Sequence, residues 1–338
     1  MSFDSRKPRS EYSWREDFRR FVRMLIHCFP LGLAMVMIGV DALLTPFIGG
    51  CKPKRDFVVV YASQDQVYAE PILQDFTKQT GIKVRAVYDS EAVKTVGLAN
   101  RLLAERSHPQ CDVFWNNEEF RTRQLAAQNA FRETNAWVAV GFRSRRIAIN
   151  TNRLSMALSP RNLLELTNEI WRGKVALAYP LFGTTATHFL ALRQHWGDEK
   201  WQAWCRALQA NKPFLVDGNS TAAKQVARGE AWIGLTDSDD IAAEQSEGLS
   251  LAALPVAEET LLIPNTVAVL RGAPHPDGAQ SLFDYLQRPE VIGRLIAAMA
   301  LEGFSASEVK TATLKPDWTA LLRDLDSTTA RLEKLFLR

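Results

Sequence analysis

From residue 57 onward, short apolar runs alternate with longer amphipathic ones. Phe57-Val58-Val59-Val60-Tyr61 is a continuous, β-branched run, the pattern of a strand buried on both faces. A polar turn, Ala62-Ser63-Gln64-Asp65, follows. A helix then runs to about Gln79, with Pro71 in its first turn and Gly81 at its end. Lys83–Tyr88 reads as the next strand and Asp89-Ser90-Glu91 as the opening of a helix carrying Val93, Val96, Leu98, Leu102 and Leu103. A short strand at 112–115 and a helix from Asn116-Asn117-Glu118 to about Asn129 complete a βαβαβα order. That order predicts a parallel sheet with helices on both faces.

The second half repeats the alternation. Strands are predicted at 141–150, 174–178, 214–216, 231–235 and 266–270. Ser159-Pro160 looks like a helix start, with Ser as cap and Pro in the first position. Further helices are expected from Gly183-Thr184-Thr185 to Trp196, then at 198–210, 220–228, from 236–240 onward, and at 276–287, 289–300 and 318–337. No internal repeat or low-complexity tract interrupts the series.

Polar residues gather where the strands end, which in open α/β sheets is where ligands bind. The segments are Ser63-Gln64-Asp65, Tyr88-Asp89-Ser90-Glu91, Asn116-Asn117-Glu118, Gly183-Thr184-Thr185, Asp217-Gly218-Asn219-Ser220 and Thr236-Asp237-Ser238-Asp239-Asp240. Each is also a good helix cap, so any single one has a purely structural reading. Their concentration on both halves points to a binding cleft. Gly183-Thr184-Thr185 offers hydroxyls and backbone N–H groups that suit an anion, although no GxxxxGK[ST] loop is present. Asp237, Asp239 and Asp240 bring three carboxylates into four positions. They repel unless a cation or donors compensate, and oxygen ligands suit hard cations. The structural alternative is a helix cap with acidic neighbours at its positive end.

Composition narrows the field. The 338 residues are 46% apolar and 23% charged, ordinary for a folded protein of about two domains. Seven Lys and Arg and five Asp and Glu lie in residues 1–50, leaving 41−7 = 34 against 38−5 = 33, so the rest is close to neutral. A nucleic-acid binder would show a basic face. The four cysteines contain no CxxC pair. No HExxH and no GxSxG elbow appears, so nothing demands an enzyme and no catalytic residue is assigned.

The N-terminus reads as an export signal. Residues 1–23 are polar and basic; residues 24–50 are mostly apolar, with Asp41 and His27 the ionisable exceptions. The segment ends Ile48-Gly49-Gly50-Cys51, which resembles the lipobox of bacterial lipoproteins and makes Cys51 a candidate for lipidation. Ordinary cleavage and an uncleaved membrane anchor are the alternatives. The expected location is periplasmic or extracytoplasmic, with membrane attachment through this segment.

Several long collinear stretches resemble the extracellular solute-binding proteins of ABC importers, in the branch related to ferric-iron-binding periplasmic proteins. They are VVVYASQDQVYAEPILQDFTKQTGIKV, YDSEAVKTVGLANRLLAE, CDVFWNNE, WRGKVALAYPLFGTTATHFLAL, VDGNSTAAKQVARGEAWIGLTDSDD and LLIPNTVAVLRGAPHPDGAQSLFDYLQRPEV. The resemblance implies an α/β, two-lobed type II periplasmic-binding-protein fold. Each lobe is a mainly parallel sheet flanked by helices, with a cleft between lobes. Residues 57–146 with 266–304 would form one lobe and 147–265 with 305–338 the other, with crossings near 145–150 and 262–268. It further implies hinge closure on a small solute and partnership with ABC permease subunits, with no nucleic acid involved. Iron-binding relatives usually place adjacent tyrosines where this chain has Asp239 and Asp240, so a tyrosinate site is in doubt. Carboxylates still suit ferric iron as a transported ligand, and no resident cofactor is expected. They equally suit an organic amine, since polyamine and thiamin binders share the fold; a hydrolase or transferase using the same cleft is the reading from another class. The candidate ligand-binding residues are Ser63, Asp65, Glu91, Asn117, Glu118, Thr184, Thr185, Ser220, Asp237 and Asp239, with Asp237, Asp239 and Glu118 as candidate metal ligands.

Overall fold

The computed structural model describes residues 57–88 and 96–337. The first unit is built as the hydrophobic pattern predicts. Strand β1 (Phe57–Ala62) pairs in parallel with β2 (Lys83–Tyr88) and with β3 (Val113–Asn116). Helix α1 (Gln66–Thr80) connects β1 to β2 and ends on Gly81, whose φ of 74° permits its N–H to bond the Thr77 carbonyl. Pro71 sits a turn deeper in α1 than expected. Helix α2 (Val96–Ala104) precedes β3, and α3 (Glu119–Ala127) follows it, capped by the Glu118 carboxylate on the Phe120 N–H.

Strand β4 (Trp137–Asn150) and β9 (Leu262–Val269) carry the chain between two cores. The front of β4 pairs antiparallel with β9 from Trp137↔Ala268 to Ser144↔Leu262. Its rear pairs antiparallel with β7 (Ile233–Asp237) and β8 (Leu251–Leu254). β7 continues in parallel to β5 (Val175–Ala178), and β5 to β6 (Phe214–Val216). The sheet order is β2-β1-β3-β9-β4-β7-β5-β6, with β8 on β4. Parallel pairing thus builds each half, and the antiparallel pairs are those made by β4 and β9. The β4–β9 register shifts between Ala139 and Phe142, around Gly141. Gly141 has φ +76°, and a Cβ there would lie 2.5 Å from Leu301 Cδ1 and 3.0 Å from the Gly303 carbonyl.

The remaining helices are α4 (Gly183–Trp196), α5 (Asp198–Ala210), α6 (Asn219–Ala227), α7 (Ser238–Ser246), α8 (Pro276–Leu286), α9 (Pro289–Ala297) and α10 (Trp318–Phe336). Helices α1, α8 and α9 pack Phe76, Leu282, Phe283 and Leu295 on β1, β3 and β9. The other core joins Ile147 and Ile149 of β4 to Leu177, Phe189, Trp201, Trp204 and Leu235. Leu321, Leu325, Leu332 and Phe336 of α10 close it. Among the described residues no helix is long and apolar enough to cross a membrane.

Several expectations change: β4 begins at Trp137 and not at 141, and the strand expected at 231–235 runs over Ile233–Asp237, so Thr236 and Asp237 belong to it and the helix starts at Ser238. A 3₁₀ turn at Met156–Leu158 precedes Ser159-Pro160, and the stretch after it holds only two more, Leu164–Thr167 and Glu169–Trp171, in place of the expected helix. Asn162 and Asn168 accept backbone N–H bonds from Glu165 and Ile170, and such local bonds compete with helix formation. Strand β8 was not anticipated. β9 begins four residues before the predicted 266 because Pro264 is accommodated opposite Phe142, next to the register shift.

Candidate functional site

Three helices begin at one pocket. The N-terminal turns of α4 and α6 line it, and α7 starts beside them from the end of β7. The pocket is a small cavity of about 40 Å³ that opens to solvent. Its walls include Asn117, Arg143, Tyr179, Thr184, Asn219 and Asp240. Neither α4 nor α6 has a side-chain cap, because the cap positions hold Phe182 and Gly218. Asp237 occupies the cap position of α7, yet its side chain makes no capping bond to that helix.

The Asp237 carboxylate is committed elsewhere. Asp237 stands opposite Arg145 in the β4–β7 ladder, and Arg145 Nη1 donates to its Oδ1 at 2.6 Å. Thr184 Oγ1 donates to Oδ2 at 2.7 Å and Asn219 Nδ2 to the same oxygen at 3.3 Å. Arg143 Nη2 lies 3.3 Å from Oδ2. Arg143 also donates through Nη1 to Asp239 Oδ2 at 2.5 Å and through Nη2 to the Asn117 carbonyl at 3.2 Å. Arg143 and Arg145 are two positions apart on β4, so both point to one face of the strand, and both are buried.

Ligand atoms of Asp237, Asp239 and Asp240 lie within 4.8 Å of one another, all buried. Three carboxylates so close repel by several kcal/mol per pair, roughly 4 at 4 Å in a medium of effective dielectric 20. The two guanidinium groups offset this. Burial works to raise the Asp237 pKa, but Arg143 and Arg145 outweigh it and hold the carboxyl below its ordinary range. Burial likewise works to lower Arg143, and Asp239, Asp237 and Asp240 more than reverse it. Asp240 accepts from the Thr236 hydroxyl at 3.1 Å and faces the pocket. Asp217 lines the rim in an exposed position.

Two further groups border this charge cluster. Half-buried Tyr68 on α1 has its phenol pushed up to about 12, first by burial and then by Asp239 and Asp240, so it is held as the neutral phenol. His188, one turn beyond Thr184, is fully buried and contacts the Glu259 carbonyl through Nε2 at 2.8 Å. Burial and then Arg145 push its pKa down to about 3. The ring is therefore neutral, and Nε2 is the nitrogen that carries the proton.

The sequence-predicted residues fall into distinct places. Asn117, Thr184 and Asp237 line the pocket. Thr185 stands behind Asn219, to whose Oδ1 it donates at 2.9 Å, and Asp239 stands behind Arg143. Ser63 accepts the Asn117 N–H at 3.1 Å and donates to Asn116 Oδ1 at 2.6 Å, so it shapes the Asn117 loop. Ser220 follows Asn219 in the first turn of α6. Asp65 precedes α1, its carbonyl accepting from Tyr68 and Ala69. Glu118 lines a separate small cavity with Thr187, Ile263 and Trp318. Burial there raises its pKa, and its Oε1 has no hydrogen-bond partner among the described residues. Glu91 and Cys51 lie outside the described residues. Sequence reasoning missed Arg143, Arg145 and Tyr179, and it chose Ser220 over its neighbour Asn219 in the same strand-end segment. The available signal was Arg143 and Arg145 at strand spacing within an apolar strand, because buried arginines require carboxylate partners.

The family model described as "Bacterial extracellular solute-binding protein" matches residues 58–297, and the chain belongs to this family. It is similar to the "Fe(3+)-binding periplasmic protein" of Serratia marcescens, with 30% identity over 196 residues. That alignment spans 53% of this chain and only 56% of the Serratia protein. The "Major ferric iron-binding protein" of Neisseria gonorrhoeae is 24% identical over 300 residues, 81% of this chain and 89% of that protein. Iron-bound HitA from Pseudomonas aeruginosa superposes with a TM-score of 0.71 at 19% identity, covering 82% of this chain and 99% of HitA. AfuA from Actinobacillus pleuropneumoniae, solved with fructose-6-phosphate, gives 0.70 at 19% identity, covering 82% and 98%. These structural matches establish the two-lobed periplasmic binding fold.

Proposed function

We propose that this member of the bacterial extracellular solute-binding family is the receptor of an ABC importer, and that it captures a hard cation, ferric iron first, together with an oxyanion. The observation that carries the reading is the convergence of α4 and α6, both without side-chain caps, on a pocket that also presents Asp240 and Asp217. Helix N-termini present N–H donors and partial positive charge to an oxyanion. The carboxylates offer hard oxygen ligands to the cation. The names of the Serratia and Neisseria relatives support iron. Capture is by closure around the solute, without covalent chemistry, followed by delivery to permease subunits.

Tyr179 and Phe182 favour a second reading. They give the pocket aromatic walls that pack an organic group beside its carboxylates, so an organic amine such as a polyamine or thiamin fits the same pocket.

A thermal-shift titration separates the two. Ferric iron with carbonate, phosphate or citrate is compared with each anion alone, and with spermidine, putrescine and thiamin. A ligand at 100 times its Kd stabilises by about 2.7 kcal/mol. For a protein of this size that raises Tm by roughly 5 °C. A shift with iron plus anion, absent with either anion or amine, is the expected result. A shift with an amine alone overturns the iron reading in favour of the second. No shift with any of them removes both.

A further inference from the structure

The three carboxylates that invite a metal already contain a cation supplied by the chain itself. We infer that Arg143 is a built-in counter-ion that closes the seat between Asp237 and Asp239 to free metal ions, and so sets the specificity of the pocket. Its Nη1 lies 2.5 Å from Asp239, its Nη2 3.3 Å from Asp237, and the same Nη2 donates to the Asn117 carbonyl at 3.2 Å. One guanidinium therefore spans both acids and ties them to the loop after β3. Arg145 fills the remaining side of Asp237. A metal ion at the same oxygens would meet the positive charge of Arg143 within a few ångströms, among buried side chains where screening by solvent is reduced.

The carboxylates on the pocket wall are then Asp240 and, at the rim, Asp217, and they face the uncapped starts of α4 and α6. With Asp237 and Asp239 neutralised, a bare trivalent or divalent ion lacks the cage of acids that the sequence suggests. A cation that arrives with its own oxyanion brings the missing oxygen ligands and engages the helix N-termini. The inference rests on the pocket being the solute site proposed above. It adds to that reading which acids are closed to the cation, Asp237 and Asp239, and which are left on the pocket wall, Asp240 and Asp217.

The test uses terbium(III) alone, a hard cation with no chelating anion, in equilibrium dialysis. Wild type is compared with Asp239→Asn, Arg143→Gln and the double variant. Wild type and Asp239→Asn are expected to bind terbium equally weakly. Arg143→Gln is expected to gain a site at least about tenfold tighter, since it removes a positive charge from the seat. That gained site is expected to vanish in the double variant. A tight wild-type site that disappears in Asp239→Asn overturns the inference, and so does a folded Arg143→Gln that gains nothing. If Arg143→Gln does not fold, the comparison of wild type with Asp239→Asn decides alone. A wild-type protein that ignores terbium and also ignores every iron–anion complex refutes the proposed function while leaving the role of Arg143 standing, so the two failures are distinguishable.

Discussion

Arg145 and Asp237 are register partners across the β4–β7 ladder, and their side chains meet again at 2.6 Å beneath the pocket. Backbone pairing and ion pairing thus fix the same two residues. Arg145 also donates to Asn219 Oδ1 at 2.9 Å and to the Leu235 carbonyl at 3.1 Å. The pair therefore joins the sheet to the first turn of α6, and it sets where the helix N-termini point.

Removing one partner leaves a buried charge without its counter-ion. Asp237→Ala is expected to cost about 3–5 kcal/mol of unfolding free energy, read by urea denaturation. Replacing both members with apolar residues of similar volume, Arg145→Met with Asp237→Leu, should recover much of that loss. A single variant within about 1 kcal/mol of wild type would show that the network is not under such constraint.

His188 gives stability a pH dependence of known sign. Its pKa is about 3 in the fold, against an ordinary value of 6.5. Between those pH values the unfolded chain holds a proton that the native state does not, so stability falls as pH falls below 6.5. The slope from this one group reaches about 1.4 kcal/mol per pH unit. Glu118, raised by burial, acts oppositely: its contribution is lost as pH rises above 4.5. The difference between wild type and His188→Gln isolates the histidine. Denaturant midpoints from pH 4.5 to 6.5 should fall more steeply on acidification for wild type than for the variant, and parallel curves would contradict the assignment.

Phe182 occupies a cap position with extended backbone, φ −137° and ψ 159°, but offers no acceptor. Phe182→Asp should cap α4 and raise stability by about 1 kcal/mol. The same carboxylate competes with the solute's oxyanion, so affinity should fall by about tenfold or more. Opposite signs in thermal unfolding and in a binding titration are the signature. Unchanged affinity for the bound solute would place its oxyanion elsewhere.

Gly141 sits where β4 changes register, in the left-handed region and against Leu301 and Gly303. Gly141→Ala meets both a backbone cost of about 1 kcal/mol and overpacking of about 1–3 kcal/mol. Tm should fall by several degrees, roughly 4–8 °C. A Tm equal to wild type would mean the bulge relaxes freely.

Much of this protein was legible in the chain because the signals are local. Val58 and Val60 announce a buried strand, Gly81 a helix end, and Pro276 and Pro289 helix starts, since each acts through its own backbone or its nearest neighbours. The acid-rich turn at 237–240 and the Gly183-Thr184-Thr185 helix start were visible for the same reason. The 3₁₀ turns after Ser159 and the early start of β9 were not, because side-chain-to-backbone bonds and a partner strand overrode local preference. The meaning of the acidic cluster was also hidden. Asp237 and Asp239 read alone look like ligands awaiting a cation. Arg143 and Arg145 lie more than 90 positions away in the chain, and only the antiparallel pairing of β4 with β7 brings them together. Sequence fixes which charges exist; the desolvated distances that decide whether a charge is available to a solute are a property of the folded sheet.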